Sequence, residues 1–237
     1  MTPPVVELAG VSKNYGGMRP LRIQQLTVAA GESVAILGFD QPSAEVFINL
    51  VTGAALPDSG TIALFGRNTA DIADSIDWLA VVDRFGIVSS RAVLLEQLTV
   101  IQNLAMPFTL EIEPPTDAVR ARAEQLAAEV GLAEATWVSP VRAIDAAAQT
   151  RVRVGRALAL DPAVLLLEHA SAGLEPAAAA SLAADLRALA RRRGAAVVAA
   201  TADERFARAI GARVLKLEPA TGRLKEERRG WLRRRLD

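Results

Sequence analysis

GESVAILGFDQPSAEVFINLV, residues 31–51, is the stretch on which the fold turns. Val34, Ala35, Ile36 and Leu37 form a run with no polar break, as expected of a strand covered on both faces, and Gly31 before them marks a turn. Gly38 follows directly, then polar residues to Glu45, then Val46, Phe47, Leu50 and Val51 at the spacing of one helix face. The order is strand, loop, helix. Taken purely as structure, Asp40 can cap the helix, Pro42 fits its first turn and Glu45 suits its positive end.

Outward from this unit, residues 5–11 are β-rich, and strand-like pieces recur at 61–64, 79–82, 163–167, 195–200 and 213–217 with helical stretches between several of them. That alternation predicts an α/β sheet with parallel members. Residues 94–144 read instead as helical. The clearest piece is 116–131, where Thr116 is the cap, Val119, Ala123, Leu126, Ala127 and Val130 form an apolar face and Gly131 is the stop. An inserted helical subdomain over residues 90–146 is the expectation. A further helix is predicted over 175–193, with Pro176 in its first turn, arginines in its last and Gly194 beyond. The basic residues 221–237 are expected to be a tail to a domain of residues 1–220, either solvated or a basic contact for a partner.

Composition excludes several chemistries. Lys plus Arg equals Asp plus Glu at 27 each, so the chain as a whole exerts no long-range pull on nucleic acid, and no nucleic-acid partner is expected. The absence of cysteine removes disulfides, thiol nucleophiles and Cys-ligated metals. The opening MTPPVVELAG has no basic segment before an apolar one, and no window is long and apolar enough to span a membrane. A cytosolic protein without a signal peptide or membrane span is the expectation.

Five blocks, in order, carry a family resemblance: VELAGVSKNYGG (6–17), GESVAILG (31–38), LPDSGTIALFG (56–66), LLEQLTVIQNLAMPF (94–108) and TRVRVGRALALDPAVLLLEHASAGLEP (150–176). Over residues 5–217 their order and spacing resemble the ATP-binding subunits of ABC transporters. The resemblance implies a P-loop NTPase-like (RecA-like) core, an antiparallel β subdomain and an inserted α-helical subdomain. Residues 98–108 are most similar to subunits of lipid, lipoprotein or macrolide export systems.

The chemical positions depart from the family's pattern. A phosphate loop needs G-x-x-x-x-G-K-[ST], so that backbone N–H groups, an ammonium and a metal-holding hydroxyl meet the phosphates. Here Gly38 fits, but Ser43 replaces the second glycine, Ala44 the lysine and Glu45 the hydroxyl. Asp40 and Glu45 would then face a polyphosphate, and like charges about 4 Å apart repel by about 4 kcal/mol at an effective dielectric of about 20. By the same resemblance, Glu168 stands for the metal-orienting aspartate, His169 for the catalytic glutamate, Ser90 for the metal-contacting glutamine and Ala202 for the sensor histidine. The signature L-S-G-G-Q aligns with Ile144, Asp145, Ala146, Ala147 and Ala148. Tyr15 keeps its type, as an aromatic able to stack on adenine or, as a lone tyrosine near a strand end, simply to pack.

Because the family sandwiches each ATP between one subunit's P-loop and its partner's signature, these departures affect both halves of a dimer. The expectation is a subunit unable to hydrolyse ATP, structural or regulatory, docked through residues 89–103 on a transmembrane permease. A second, intact ABC ATPase is a possible partner, and a homodimer is another. ATP and Mg²⁺ are expected to bind weakly, and no other metal is expected. Two rival readings are binding of ATP without hydrolysis through Tyr15, and a slow ATPase using Glu168 and His169.

Overall fold

The computed structural model describes residues 3–72, 74–211 and 213–227. In chain order the strands are β1 (Val6–Lys13), β2 (Leu21–Val28), β3 (Ser33–Leu37), β4 (Ser59–Leu64), β5 (Arg67–Asn68), β6 (Phe85–Ser89), β7 (Val164–Glu168), β8 (Ala196–Thr201), β9 (Arg213–Glu218) and β10 (Arg223–Glu226). The helices are α1 (Gln41–Val51), α2 (Ser75–Val82), α3 (Val100–Ala105), α4 (Asp117–Glu129), α5 (Ala146–Leu158), α6 (Pro176–Arg193) and α7 (Glu204–Ile210).

Among the described residues two sheets organise the fold: an antiparallel one in the order β2-β1-β4-β5, and a larger one in the order β10-β9-β3-β8-β7-β6. In the larger sheet β9, β3, β8, β7 and β6 run parallel, and β10 closes the edge antiparallel to β9. Every residue of β7 and β8 is buried, which is why these strands are continuously apolar in sequence until Glu168 and Thr201. Successive side chains of a strand point to opposite faces. Accordingly Leu165, Leu167, Val197 and Ala199 join one apolar cluster with α3, α4, α5, α6 and α7. Val164, Leu166, Ala196, Val198 and Ala200 join the other, with α1 and the antiparallel sheet.

The stretch between β6 and α5 contributes α3 and α4, and its buried residues Leu104, Leu126 and Val130 share the cluster that contains Leu165. It has no separate core. The cap and stop residues act as their types predict: Thr116 accepts from the Val119 N–H, and Gly194 ends α6 in the left-handed region at φ 66°.

Two expectations are corrected. Residues 79–82 are helical, not extended: Asp74 caps α2 by accepting from the N–H groups of Ile76 and Asp77, and a short apolar run has no periodicity of its own to oppose that. The tail does not begin at 221. Residues 223–226 form β10, and the Gly222 carbonyl accepts from the Gln24 N–H at 2.8 Å, joining this end to β2. The rest of the expected tail, residues 228–237, lies outside the described residues.

Gly38, at the carboxyl end of β3, has φ 102°, and a Cβ there would sit 3.0 Å from the Leu217 carbonyl oxygen. Gly38→Ala is therefore expected to lower stability by about 1–3 kcal/mol, measured as a shift in urea midpoint at unchanged slope.

Candidate functional site

The turn from β3 into α1 closes on itself. Asp40 stands at the cap with extended backbone, its carboxylate accepting from the Ser43 N–H at 2.9 Å, while Ser43 Oγ accepts from the Asp40 N–H at 3.1 Å. The Ser43 hydroxyl also donates to the Asp40 carboxylate. This reciprocal pairing satisfies donors that a helix start otherwise leaves for an anion. The hydrogen bonds from Ser43 hold the Asp40 carboxyl below the usual carboxylate range. Ala44 is fully buried, and its N–H donates to the Asp40 carbonyl at 2.9 Å.

Glu168 ends β7 with a side chain that has no solvent exposure. Such a carboxylate requires a counter-charge and hydrogen bonds. Arg91, two residues beyond β6, supplies both: its Nη2 donates to Oε2 at 2.6 Å and its Nε to Oε1 at 3.0 Å, a two-point contact of the kind planar guanidinium favours. Gln41 Nε2 adds a third donor, 2.5 Å from Oε1. The third guanidinium nitrogen, Nη1, lies 3.1 Å from Glu45 Oε1. The hydrogen bonding to Glu168, aided by the charges of Glu168 and Glu45, raises the Arg91 pKa above its ordinary value.

The two carboxylates expected to face a polyphosphate are both engaged within the chain. Asp40 is engaged by its own turn, and Glu45 is ion-paired to a cation that arrives from another loop. Sequence reasoning missed Arg91 and Gln41. The one signal available was that Arg91 directly follows Ser90, itself assigned to the site by resemblance; Ser90 is exposed and the side chain that reaches the carboxylates is its neighbour's.

The other positions are less connected. His169 adopts φ 45°, its N–H donates to the Ala200 carbonyl at 2.9 Å, and its Nε2 is buried with no hydrogen-bond partner. Ala202 is exposed just after β8. At the signature position Ile144 is buried, Asp145 caps α5 by accepting from the Ala148 N–H at 2.7 Å, and Ala146 and Ala147 form the first turn. Tyr15 does meet the turn: Tyr15, Arg19, Gly38, Asp40 and Ser43 line a cavity of about 600 Å³. Partial burial and the Asp40 charge raise the Tyr15 pKa.

A magnesium nucleotide fits this donor set poorly. The lysine position is a buried methyl group, the Ser43 N–H is taken by Asp40, and both oxygens of Glu168 are occupied by Arg91 and Gln41.

A parallel sheet whose β3 leads through a phosphate-loop-like turn into α1, with an antiparallel sheet on one side and helices on the other, defines the class of ATP-binding cassettes. Solved structures agree on that fold. The ATP-binding cassette MJ0796 bound to ADP and Pi superposes with a TM-score of 0.76 at 24% identity, covering 94% of this chain and 98% of that one. CbiO1 from Clostridium perfringens, part of the complex cbiONQ, gives 0.78 at 20% identity, covering 94% and 87%. The sequence profile described as ABC transporter matches residues 21–172, and the chain belongs to that family.

Among curated relatives, the methionine import ATP-binding protein MetN of Brucella abortus (strain 2308) is 30% identical over 215 residues, 91% of this chain and 58% of the relative. MetN of Rhizobium etli is 31% identical over 227 residues, 96% and 62% respectively. The chain thus spans about three fifths of their length. Both are named for import, in contrast to the export systems that residues 98–108 resemble. No helix among the described residues is long and apolar enough to cross a membrane.

Asp40→Ala is expected to cost about 1 kcal/mol at neutral pH through loss of the cap. Because the folded-state pKa of Asp40 is depressed, its contribution is present above the unfolded value of about 4 and is lost as pH falls through the folded value. The stability gap between wild type and Asp40→Ala, followed by urea unfolding against pH, should therefore close in acid.

Proposed function

We propose that this chain is an ABC-transporter subunit that does not hydrolyse ATP and serves a membrane transport complex structurally or as a regulator. The observation that carries the reading is the self-capped turn. Asp40 holds the Ser43 N–H, Ala44 offers no ammonium, and the Arg91 guanidinium is already paired to Glu45 and Glu168, so the place that would receive a β- or γ-phosphate has no cation left to meet it. His169, at the position of the family's general base, has no carboxylate beneath it free to hold a metal, because Glu168 is saturated.

The partner is a transmembrane permease, which places the chain at the inner face of the membrane; the import relatives support transport as the setting. Ile87, Val93 and Leu160 are exposed apolar residues. Ile87, Ala92 and Leu160 line a groove of about 250 Å³ that meets the 89–103 stretch at Ala92, a surface suited to an apolar segment of the permease. A second ATPase with intact motifs, or a second copy of this chain, completes the assembly. Retention of nucleotide without turnover is a second reading, favoured by the cavity that Tyr15 shares with Gly38 and Ser43.

Phosphate release is the test. The purified chain, alone and in its permease complex with any partner ATPase inactivated, is expected to show no ATP turnover above the protein-free rate. Turnover abolished by Glu168→Gln or His169→Ala contradicts the proposal in favour of a slow ATPase.

A further inference from the structure

Glu168 and Glu45 are held on two separate elements, β7 and α1, yet both lie within 3.1 Å of one guanidinium. Gln41 adds an amide to the same group. Without Arg91 this constellation is two carboxylates with an amide oxygen available on rotation, an oxygen set of the kind that holds a hard divalent cation. With Arg91, one carboxylate is saturated and the other is paired. The cation arrives on the loop that leaves β6, and two more arginines hold its neighbours: Arg153 Nε donates to the Ala92 carbonyl at 3.2 Å and Arg156 Nη1 to the Val93 carbonyl at 2.7 Å. Three consecutive residues, 91–93, are thus fastened by arginine contacts.

We propose that Arg91 is a resident counter-ion that permanently occupies a latent divalent-cation site formed by Glu168, Glu45 and Gln41, and by doing so fixes the loop into the helical stretch independently of metal or nucleotide. A divalent ion exchanges with solvent; a guanidinium on the same chain does not. The loop position is then a constant of the fold and not a response to a ligand. The inference rests on reading the site as closed to a metal-bound nucleotide, but its readout is metal binding and stability without nucleotide. ATP turnover by the wild type would overturn the proposed function, whereas the results below decide this one.

Mn²⁺ is the probe, with melting temperature and the Mn²⁺ electron paramagnetic resonance signal as readouts on the full chain. Wild type is expected to show the same melting temperature with and without millimolar Mn²⁺, and no bound-ion signal. Arg91→Ala should melt roughly 5–10 °C lower, because it leaves a buried carboxylate uncompensated, and should regain much of that loss when Mn²⁺ binds. Arg91→Ala combined with Glu168→Gln should lose the Mn²⁺ response. If Arg91→Ala does not fold, Arg91→Gln, which keeps amide donors and removes the charge, carries the same expectation. Wild type that binds Mn²⁺ as strongly as the variants, or single variants indifferent to Mn²⁺, would overturn the proposal.

Discussion

The ion pair between Arg91 and Glu168 is the constraint around which the site is arranged. Burying the Glu168 side chain completely at the end of a central strand is tolerable only with a cation at hydrogen-bond distance. Removing one member of such a pair costs about 3–5 kcal/mol, and since Arg91 is itself 39% exposed the lower end applies here. The contact joins β7 to the loop after β6, and through Glu45 it reaches α1 as well. The helical side is fastened in the same chemical manner elsewhere. Arg193, in the last turn of α6, pairs with Glu129 of α4 at 2.6 Å, and Arg151 of α5 reaches both Asp185 and the Val130 carbonyl. Guanidinium is suited to this task because it stays charged and offers several donors in fixed directions.

The turn after β3 obeys the same logic on a smaller scale. A helix start presents unsatisfied N–H groups and a partial positive charge, which an external anion can satisfy. Here Asp40 does so from within, and Ser43 returns the bond. Both positive features of the site, the helix start and the guanidinium, are thus matched by carboxylates of the chain. On the proposed function, the scaffold keeps the shape that a transport complex docks against while its ionic interior is complete without ligand.

Much of the architecture was legible because it depends on period and punctuation. The unbroken apolar runs gave the central strands, and Thr116, Pro176 and Gly194 bounded helices at the positions their conformational preferences dictate. Residues 79–82 misled because an apolar run of that length suits either element, and the decision lay with Asp74 outside the run. In residues 223–226 charge hides the pairing of an edge strand. Within the site, Asp40 as a cap was readable locally. Arg91 was not: it meets Glu168 from 77 positions away in the chain, and the meeting is fixed by the parallel pairing of β6 with β7.

On the proposed function, internal groups satisfy the place where a triphosphate and its metal would bind. Calorimetric titration of the intact chain with Mg–ATP tests it most directly. A flat trace up to millimolar ligand is expected; a saturable isotherm with micromolar affinity would rule out a self-satisfied site.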